Sequence, residues 1–259
     1  MTFRAIRILQ EVDLIAAEDT RNSIKLLNHF EIHTPMTSYH EYNKYDKGRE
    51  LVQKLLAGTN IALITDAGTP GISDPGEELV KMAYEAGIEV TSLPGACACV
   101  TALTLSGLST RRFVFEAFLP PDKKEHKLAL ERLKNETRTM IVYEAPHHLL
   151  KTLRELLETL GNRRLTLCRE LTKRYEQYLR GSLSQLRADL AEQGTRGEFV
   201  ILVEGAAPAA ESAASGDVDY ASLVRELMEQ GVDKKEAIRT VARRCGVPKR
   251  SVYQAALSL

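Results

Sequence analysis

Apolar and polar positions in this chain fall into blocks with two different periods. Thr2–Glu11, Asn22–Phe30 and Tyr45–Ala57 carry apolar residues at helical spacing. Val12–Ala17 and Ile61–Ile64 are short unbroken apolar runs, as buried strands are. Glu77–Ala86 predicts a helix closed by Gly87, and Glu89–Leu93 predicts a strand. Pro94-Gly95 then turns into Ala96–Ser106, whose small residues suit a closely packed helix. This βαβα rhythm predicts a mainly parallel sheet covered by helices.

Pro120-Pro121 marks a boundary. Beyond it the pattern predicts helices over Lys124–Asn135, Leu149–Leu160 (ended by Gly161) and Ser182–Glu192. Strands are predicted at Thr139–Tyr143, Leu165–Cys168 and Glu198–Val203. Ala206–Gly216 is an Ala/Ser/Pro/Gly linker. Tyr220–Gln230, Lys234–Arg244 and Lys249–Leu257 follow as three short helices, with breaks at Gly231 and Cys245-Gly246. The last two have the spacing of a helix-turn-helix. The expected organisation is an α/β domain over 1–118, a second over 119–205, a linker over 206–217 and a helical module over 218–259.

With 259 residues, 44% hydrophobic and 27% charged, the chain is ordinary for a globular protein. No apolar run is long enough to span a membrane, and the amino terminus does not read as a signal peptide. Cys97, Cys99, Cys168 and Cys245 match neither a zinc nor a disulfide spacing, which points to reduced thiols and a cytoplasmic location. Net charge is zero but uneven: residues 1–120 hold 11 basic against 15 acidic side chains, and the remainder 24 against 20. Lys234–Arg250 alone has seven basic residues and one acid, and Arg163–Arg187 seven and two. Each patch is either a polyanion contact or a solvated helix face.

The chemistry concentrates where strands run into turn-rich loops. Ile61–Gly76 reads IALITDAGTPGISDPG, a buried strand breaking into glycines, prolines and the acids Asp66 and Asp74. In α/β sheets ligands bind beyond the carboxyl ends of strands. Fixed negative charge there suits ribose hydroxyls or a cationic ligand better than phosphate. Similar loops are AEDTR (Ala17–Arg21), LPGACA (Leu93–Ala98), YEAPHH (Tyr143–His148) and RELTKRYE (Arg169–Glu176), and RGEFVILVEG (Arg196–Gly205) closes the series.

Six such segments in this order resemble the tetrapyrrole-methylase-type fold of S-adenosylmethionine-dependent methyltransferases. The resemblance covers nearly the whole chain. AEDTR, DAGTP…DPG, Phe118-Leu119-Pro120 and RELTK are most similar to its ribosomal RNA small subunit methyltransferase I group. It implies two α/β domains with a cofactor cleft between them, plus the small helix-turn-helix-like module. It also implies methyl transfer from S-adenosylmethionine to the 2′-hydroxyl of a cytidine in the decoding region of small-subunit ribosomal RNA. A homodimer without metal, acting on that RNA or on the assembled 30S subunit, is expected.

The resemblance places the cofactor against Asp66, Ala67, Gly68 and Ile72, against Ala96, Cys97 and Ala98, and against Tyr143, Glu144 and Ala145. Cys97 stands where Ser is frequent. Tyr143 either stacks on adenine or packs. For catalysis Glu18 and Asp19 are candidate bases, with Arg21 holding a phosphate or orienting a carboxylate. Glu170, Lys173 and Glu176 share one face if their segment is helical, either for catalysis or as a surface ion-pair network. His40 is a further base candidate, and His147 and His148 face RNA or solvent. Arg169, Arg174, Arg243, Arg244, Lys249 and Arg250 are candidate RNA contacts.

Members of the family begin with a strand and a Pro/Gly/Asn-bearing loop ahead of the helix that matches Thr2–Glu11. Met1 lies inside or just before that helix. The expectation is a start codon placed too late, or a fragment, with apolar neighbours at Val12–Ala16 exposed and sheet groups unpaired. Two other functions fit parts of the pattern. A small-molecule methyltransferase, acting on a tetrapyrrole, has no need of the basic helices. A non-enzymatic nucleic-acid-binding protein leaves the cleft loops unexplained.

Overall fold

The computed structural model describes residues 1–207, 219–245 and 247–257. Its first sheet contains β1 (Leu14–Ala17), β2 (Met36–Ser38) and β3 (Ile61–Ile64) in the order β2-β1-β3, all parallel. Alternation along β1 sends its side chains to opposite faces. Ile15 packs with Leu9 of α1 (Phe3–Glu11) and Leu27 of α2 (Thr20–His29). Ala16 packs with Leu51 of α3 (Lys44–Leu56) and Leu79 of α4 (Gly76–Glu85). Ile15, Ala16 and Ala17 are fully buried, so the exposure expected over Val12–Ala16 is corrected. β1 is the central strand; β2 and β3 are the edges, and the residues of both are half-buried.

Glu89–Leu93, expected as a strand, is irregular and largely exposed. β3 pairs only with β1, so no neighbouring strand offers this segment a ladder.

The second sheet holds β4 (Phe113–Phe118), β5 (Thr139–Glu144), β6 (Arg164–Arg169), β7 (Gln177–Ser182) and β8 (Phe199–Val203), in the order β4-β5-β8-β6-β7. Only β4 and β5 are parallel; the other three pairs are antiparallel. A mainly parallel arrangement therefore holds for the first sheet alone. β8 reads FVILV and is buried throughout. Met140, Val142, Leu165, Leu167 and Ile201 meet the covering helices α6 (Lys123–Leu133), α7 (Leu149–Leu160) and α8 (Leu183–Gln193) on one face. Ile141, Cys168, Val200 and Leu202 meet α5 (Ala98–Leu105) on the other.

That packing moves α5 and β4 away from the domain expected over 1–118. α5 reads ACVTALTL, and its face of Cys99, Ala102 and Leu103 is buried against this sheet. The buried Thr166 hydroxyl donates to the Ser106 carbonyl at 2.8 Å, and Thr139 donates to Ser109 at 2.7 Å. Both tie the segment before β4 to the second sheet.

The carboxy-terminal module consists of helices Tyr220–Glu229, Lys234–Cys245 and Lys249–Ala255 around Val224, Ala237, Val241 and Val252. Positions 208–217 of the expected linker, and the break at Gly246, lie outside the described residues. The four cysteines are free thiols. Among the described residues no helix is long and apolar enough to cross a membrane.

Two outcomes follow from this packing. A Cβ on Gly205 would collide with the Thr137 carbonyl and lie 2.7 Å from that of Arg138. Both neighbours are backbone and cannot swing aside, so Gly205→Ala should lower stability by about 1–3 kcal/mol, read as a shift in denaturant midpoint. Separately, the Glu136 carboxylate accepts from the Arg138 side chain at 2.8 and 2.7 Å and from its backbone N–H at 2.8 Å. The Arg138 side-chain bonds hold its pKa down at about 2, against an ordinary 4.5. A depressed folded pKa stabilises above the ordinary value and is lost as pH falls toward the depressed one. The melting-temperature gap between wild type and Glu136→Gln should therefore be open at neutral pH and close between 4.5 and about 2.

Candidate active site

The first wall of the site is made by the carboxyl ends of β1 and β3. Glu18 Oε2 accepts from the Thr65 hydroxyl at 2.6 Å and from the Asp66 N–H at 3.3 Å. This carboxylate therefore straps two neighbouring strand ends together. Among the described residues its Oε1 has no hydrogen-bond partner. Asp19 serves differently. It caps α2, accepting from the Arg21 N–H at 2.8 Å, and takes the Arg21 guanidinium at 3.1 and 2.9 Å. The Arg21 side-chain bonds hold the Asp19 carboxyl down at about 2, which makes it a weak base.

The second wall is the loop after β3. Asp74 accepts from the N–H groups of Gly71 at 2.9 Å, Ile72 at 3.3 Å and Gly76 at 2.7 Å. The carboxylate read from sequence as available to a ligand is thus spent on its own loop. Gly76 is required there: a Cβ would stand 2.6 Å from Asp74 Oδ1 and 2.9 Å from the Gly71 nitrogen. Gly68 sits at φ +79, a conformation that favours glycine. Asp66, Ala67, Gly68 and Ile72 are exposed at the tip. Among the described residues the Asp66 side chain makes no hydrogen bond, so its carboxylate stays available.

Next to this tip lies the turn before α5. The Thr69 hydroxyl donates to the Ala96 carbonyl at 2.9 Å. Cys97 caps α5 with extended backbone, and its carbonyl accepts from the Thr101 hydroxyl at 2.9 Å. The Cys99 N–H in turn donates to the Tyr143 hydroxyl at 3.0 Å. The structure thereby joins Asp66–Gly68, Ala96–Ala98 and the end of β5 into one junction. The Tyr143 ring packs edge-on against Phe115 at 5.0 Å and Phe118 at 5.7 Å, and burial pushes its hydroxyl pKa up. Of the two sequence readings, packing and positioning describe these contacts. Glu144 is also internally engaged, accepting from the Thr152 hydroxyl at 2.5 Å and the Ala145 N–H at 2.7 Å.

The RELTKRYE segment is not helical, so the shared face expected for Glu170, Lys173 and Glu176 does not form. Glu170 and Thr172 have φ values of 50 and 64, which break the helix. Lys173 bridges Glu170 at 3.0 Å and Glu198 at 2.9 Å, while Glu176 accepts from the Tyr178 hydroxyl. Hydrogen bonds to the Glu198 N–H and to Lys173 hold the Glu170 carboxyl below its ordinary value. Among the described residues no hydrogen bond or ion pair links this network to Glu18. Arg169 donates to Gln177 at 3.1 Å and Arg174 is exposed.

In the carboxy-terminal module Arg243, Arg244, Lys249 and Arg250 are all exposed. Among the described residues none of them makes an ion pair, whereas Arg239 pairs with Glu236 at 3.4 Å. The set is a free cationic surface. His147 and His148 are exposed and lie ring to ring at 4.1 Å.

Sequence reading missed Thr65, Thr69, Tyr39 and Cys99, which hold the loops. Tyr39, fully buried after β2, donates to the Pro75 carbonyl at 3.0 Å. Thr65 alone carried a signal, a hydroxyl at the end of an apolar run.

The family model for Tetrapyrrole (Corrin/Porphyrin) Methylases matches residues 1–187, and that for the RsmI C-terminal HTH domain matches residues 214–259. The chain is 49% identical over 260 residues to Ribosomal RNA small subunit methyltransferase I of Synechocystis sp., covering 100% of this chain and 93% of the relative. To the protein of the same name in Bacillus subtilis it is 46% identical over 260 residues, with 98% and 88% covered. Among solved structures, uroporphyrin-III-C-methyltransferase from Thermus thermophilus aligns at TM-score 0.56 and 18% identity, covering 79% of this chain and 87% of the other. The same enzyme complexed with S-adenyl homocysteine aligns at TM-score 0.53 and 19% identity, covering 78% and 90%. These structural likenesses establish the fold. The chain belongs to the tetrapyrrole methylase family and, within it, to the ribosomal RNA small subunit methyltransferase I group.

Proposed function

We propose that this chain transfers a methyl group from S-adenosylmethionine to the ribose 2′-hydroxyl of a cytidine in the decoding region of small-subunit ribosomal RNA. The observation that carries the reading is the junction of three loops: Glu18 bonded to Asp66, Thr69 to Ala96, and Cys99 to Tyr143. It presents one unpartnered carboxylate, Asp66, beside small, exposed residues.

That combination fits a nucleoside. Asp66 would accept from the ribose hydroxyls, while Ala67, Gly68, Ile72 and Ala96–Ala98 would lie against the flat and apolar parts. Tyr143, Glu144 and Ala145 would position the turn before α5 rather than bind directly. When bound, S-adenosylmethionine supplies a methyl group made electrophilic by its sulfonium. The ribose oxygen would form the new O–C bond as the methyl–sulfur bond broke, with the electron pair left on sulfur. Glu18 Oε1 takes the hydroxyl proton, Oε2 being held by Thr65. Much of the remaining rate comes from holding oxygen, methyl and sulfur in line.

The cationic module supports an RNA substrate over a small molecule. Arg243, Arg244, Lys249 and Arg250 would grip phosphates and position the RNA without reading its sequence. The Glu170–Lys173–Glu198 network would hold the loop after β6 as scaffold.

Three outcomes test this. Incubation with tritiated S-adenosylmethionine and 30S subunits, followed by nucleoside analysis, should place the label in 2′-O-methylcytidine; label in a base overturns the ribose assignment. Glu18→Gln keeps an acceptor for Thr65, so cofactor binding by calorimetry should survive while kcat falls about 10²–10⁴-fold. Replacing Lys249 and Arg250 together with Ala should weaken 30S binding, reduce its salt slope by about two and spare cofactor binding.

A further inference from the structure

A cavity opens beyond the carboxyl ends of β1 and β2. It has a volume of about 400 Å³, and its lining includes Glu18, Arg21, Ser38, His40 and Tyr42. Glu18 is shared with the loop junction, because the same carboxylate accepts from the Asp66 N–H at 3.3 Å. The cavity therefore adjoins the methyl-donor loop.

Three features of its rim await a ligand. Tyr42 is 98% exposed, yet it sits on a fixed turn. His40 N–H donates to Asn43 Oδ1 at 2.8 Å, and the Asn43 N–H returns to the His40 carbonyl at 3.0 Å. A large ring held out in water by a tight turn leaves its π-face unused. His40 Nδ1 is buried and, among the described residues, has no hydrogen-bond partner. Buried polar atoms are normally satisfied, so this one is poised for a group not yet in place. Finally, the Arg21 side chain is 89% exposed at the edge.

The charges identify the guest. Asp19 pairs with Arg21 at 2.9 Å and Glu41 with Lys44 at 2.5 Å, and among the described residues Glu18 makes no ion pair. A phosphate would not enter such a cavity. A neutral base and its ribose would, with the phosphate left outside in solvent. The volume lies within the range of small-molecule sites.

We infer that this cavity seats the acceptor nucleotide, unstacked from its neighbours, with Tyr42 stacked on the base and His40 Nδ1 bonded to its polar edge. The assignment rests on the ribose-methyltransferase reading and names the side chains that receive the acceptor. RNA enzymes and RNA-binding proteins commonly read bases splayed out of the stack, against aromatic side chains. The seat then presents the ribose 2′-oxygen to Glu18 Oε1.

The test compares wild type, Tyr42→Ala, Tyr42→Phe and His40→Ala in methyl transfer to 30S subunits, with S-adenosylmethionine binding measured by calorimetry on each. Tyr42→Ala should raise KM for the subunit about 10- to 100-fold, as loss of one base–aromatic stack does, with kcat less affected. Tyr42→Phe should restore KM, and His40→Ala should weaken the subunit interaction without altering cofactor affinity. A Tyr42→Ala enzyme with normal KM and normal cofactor binding overturns the seat and leaves the methyltransferase reading standing. A wild-type enzyme that binds cofactor but methylates no small-subunit RNA overturns both.

Discussion

The site depends on one hydrogen bond, from the Cys99 N–H to the Tyr143 hydroxyl. It joins the first turn of α5 to the end of β5. The N–H groups in the first turn of a helix have no partner within it, so an external acceptor is required. Tyr143 supplies it from a ring fixed by Phe115 and Phe118. Burial pushes the hydroxyl pKa up, which favours the neutral form. Through Thr69 and Ala96 the same junction reaches the loop after β3. Two sheets with separate cores are thereby tied to one junction.

Carboxylates divide the labour around that junction. A long Gly- and Pro-rich loop has backbone N–H groups to satisfy, and Asp74 takes three of them. Asp19 is occupied by a helix cap and an arginine, and Glu144 by Thr152 and its own turn. What remains for chemistry is Asp66 and one oxygen of Glu18. An acid-rich loop is consequently poor in available acid. The same economy shapes the loop after β6, where Glu170, Lys173 and Glu198 satisfy one another.

Strands whose own residues are apolar were legible: β1, β3, β5, β6 and β8 appear as short apolar runs. β2, β4 and β7 were not. β7 reads QYLRGS and is mostly exposed, so it is a strand only because β6 pairs with it. β4 changes register between Phe115 and Ala117, which blurs its alternation. Glu89–Leu93 failed in the opposite sense, having β-forming residues and no neighbour. α5 was legible as a helix, but its membership was not, because an apolar surface does not name the sheet that covers it.

Sequence alone determined the apolar strands, most of the helices, the turn-rich loops between them, the cationic tail and the family. These are set by local composition and period, which neighbouring residues express together. Tertiary structure decided which acids remain free, where α5 belongs and that Tyr143 positions a helix. The reason is separation: Glu18 meets Thr65 across 47 positions, and Cys99 meets Tyr143 across 44. Such partners are chosen by the packing of whole sheets, and only the folded chain brings them within hydrogen-bond reach.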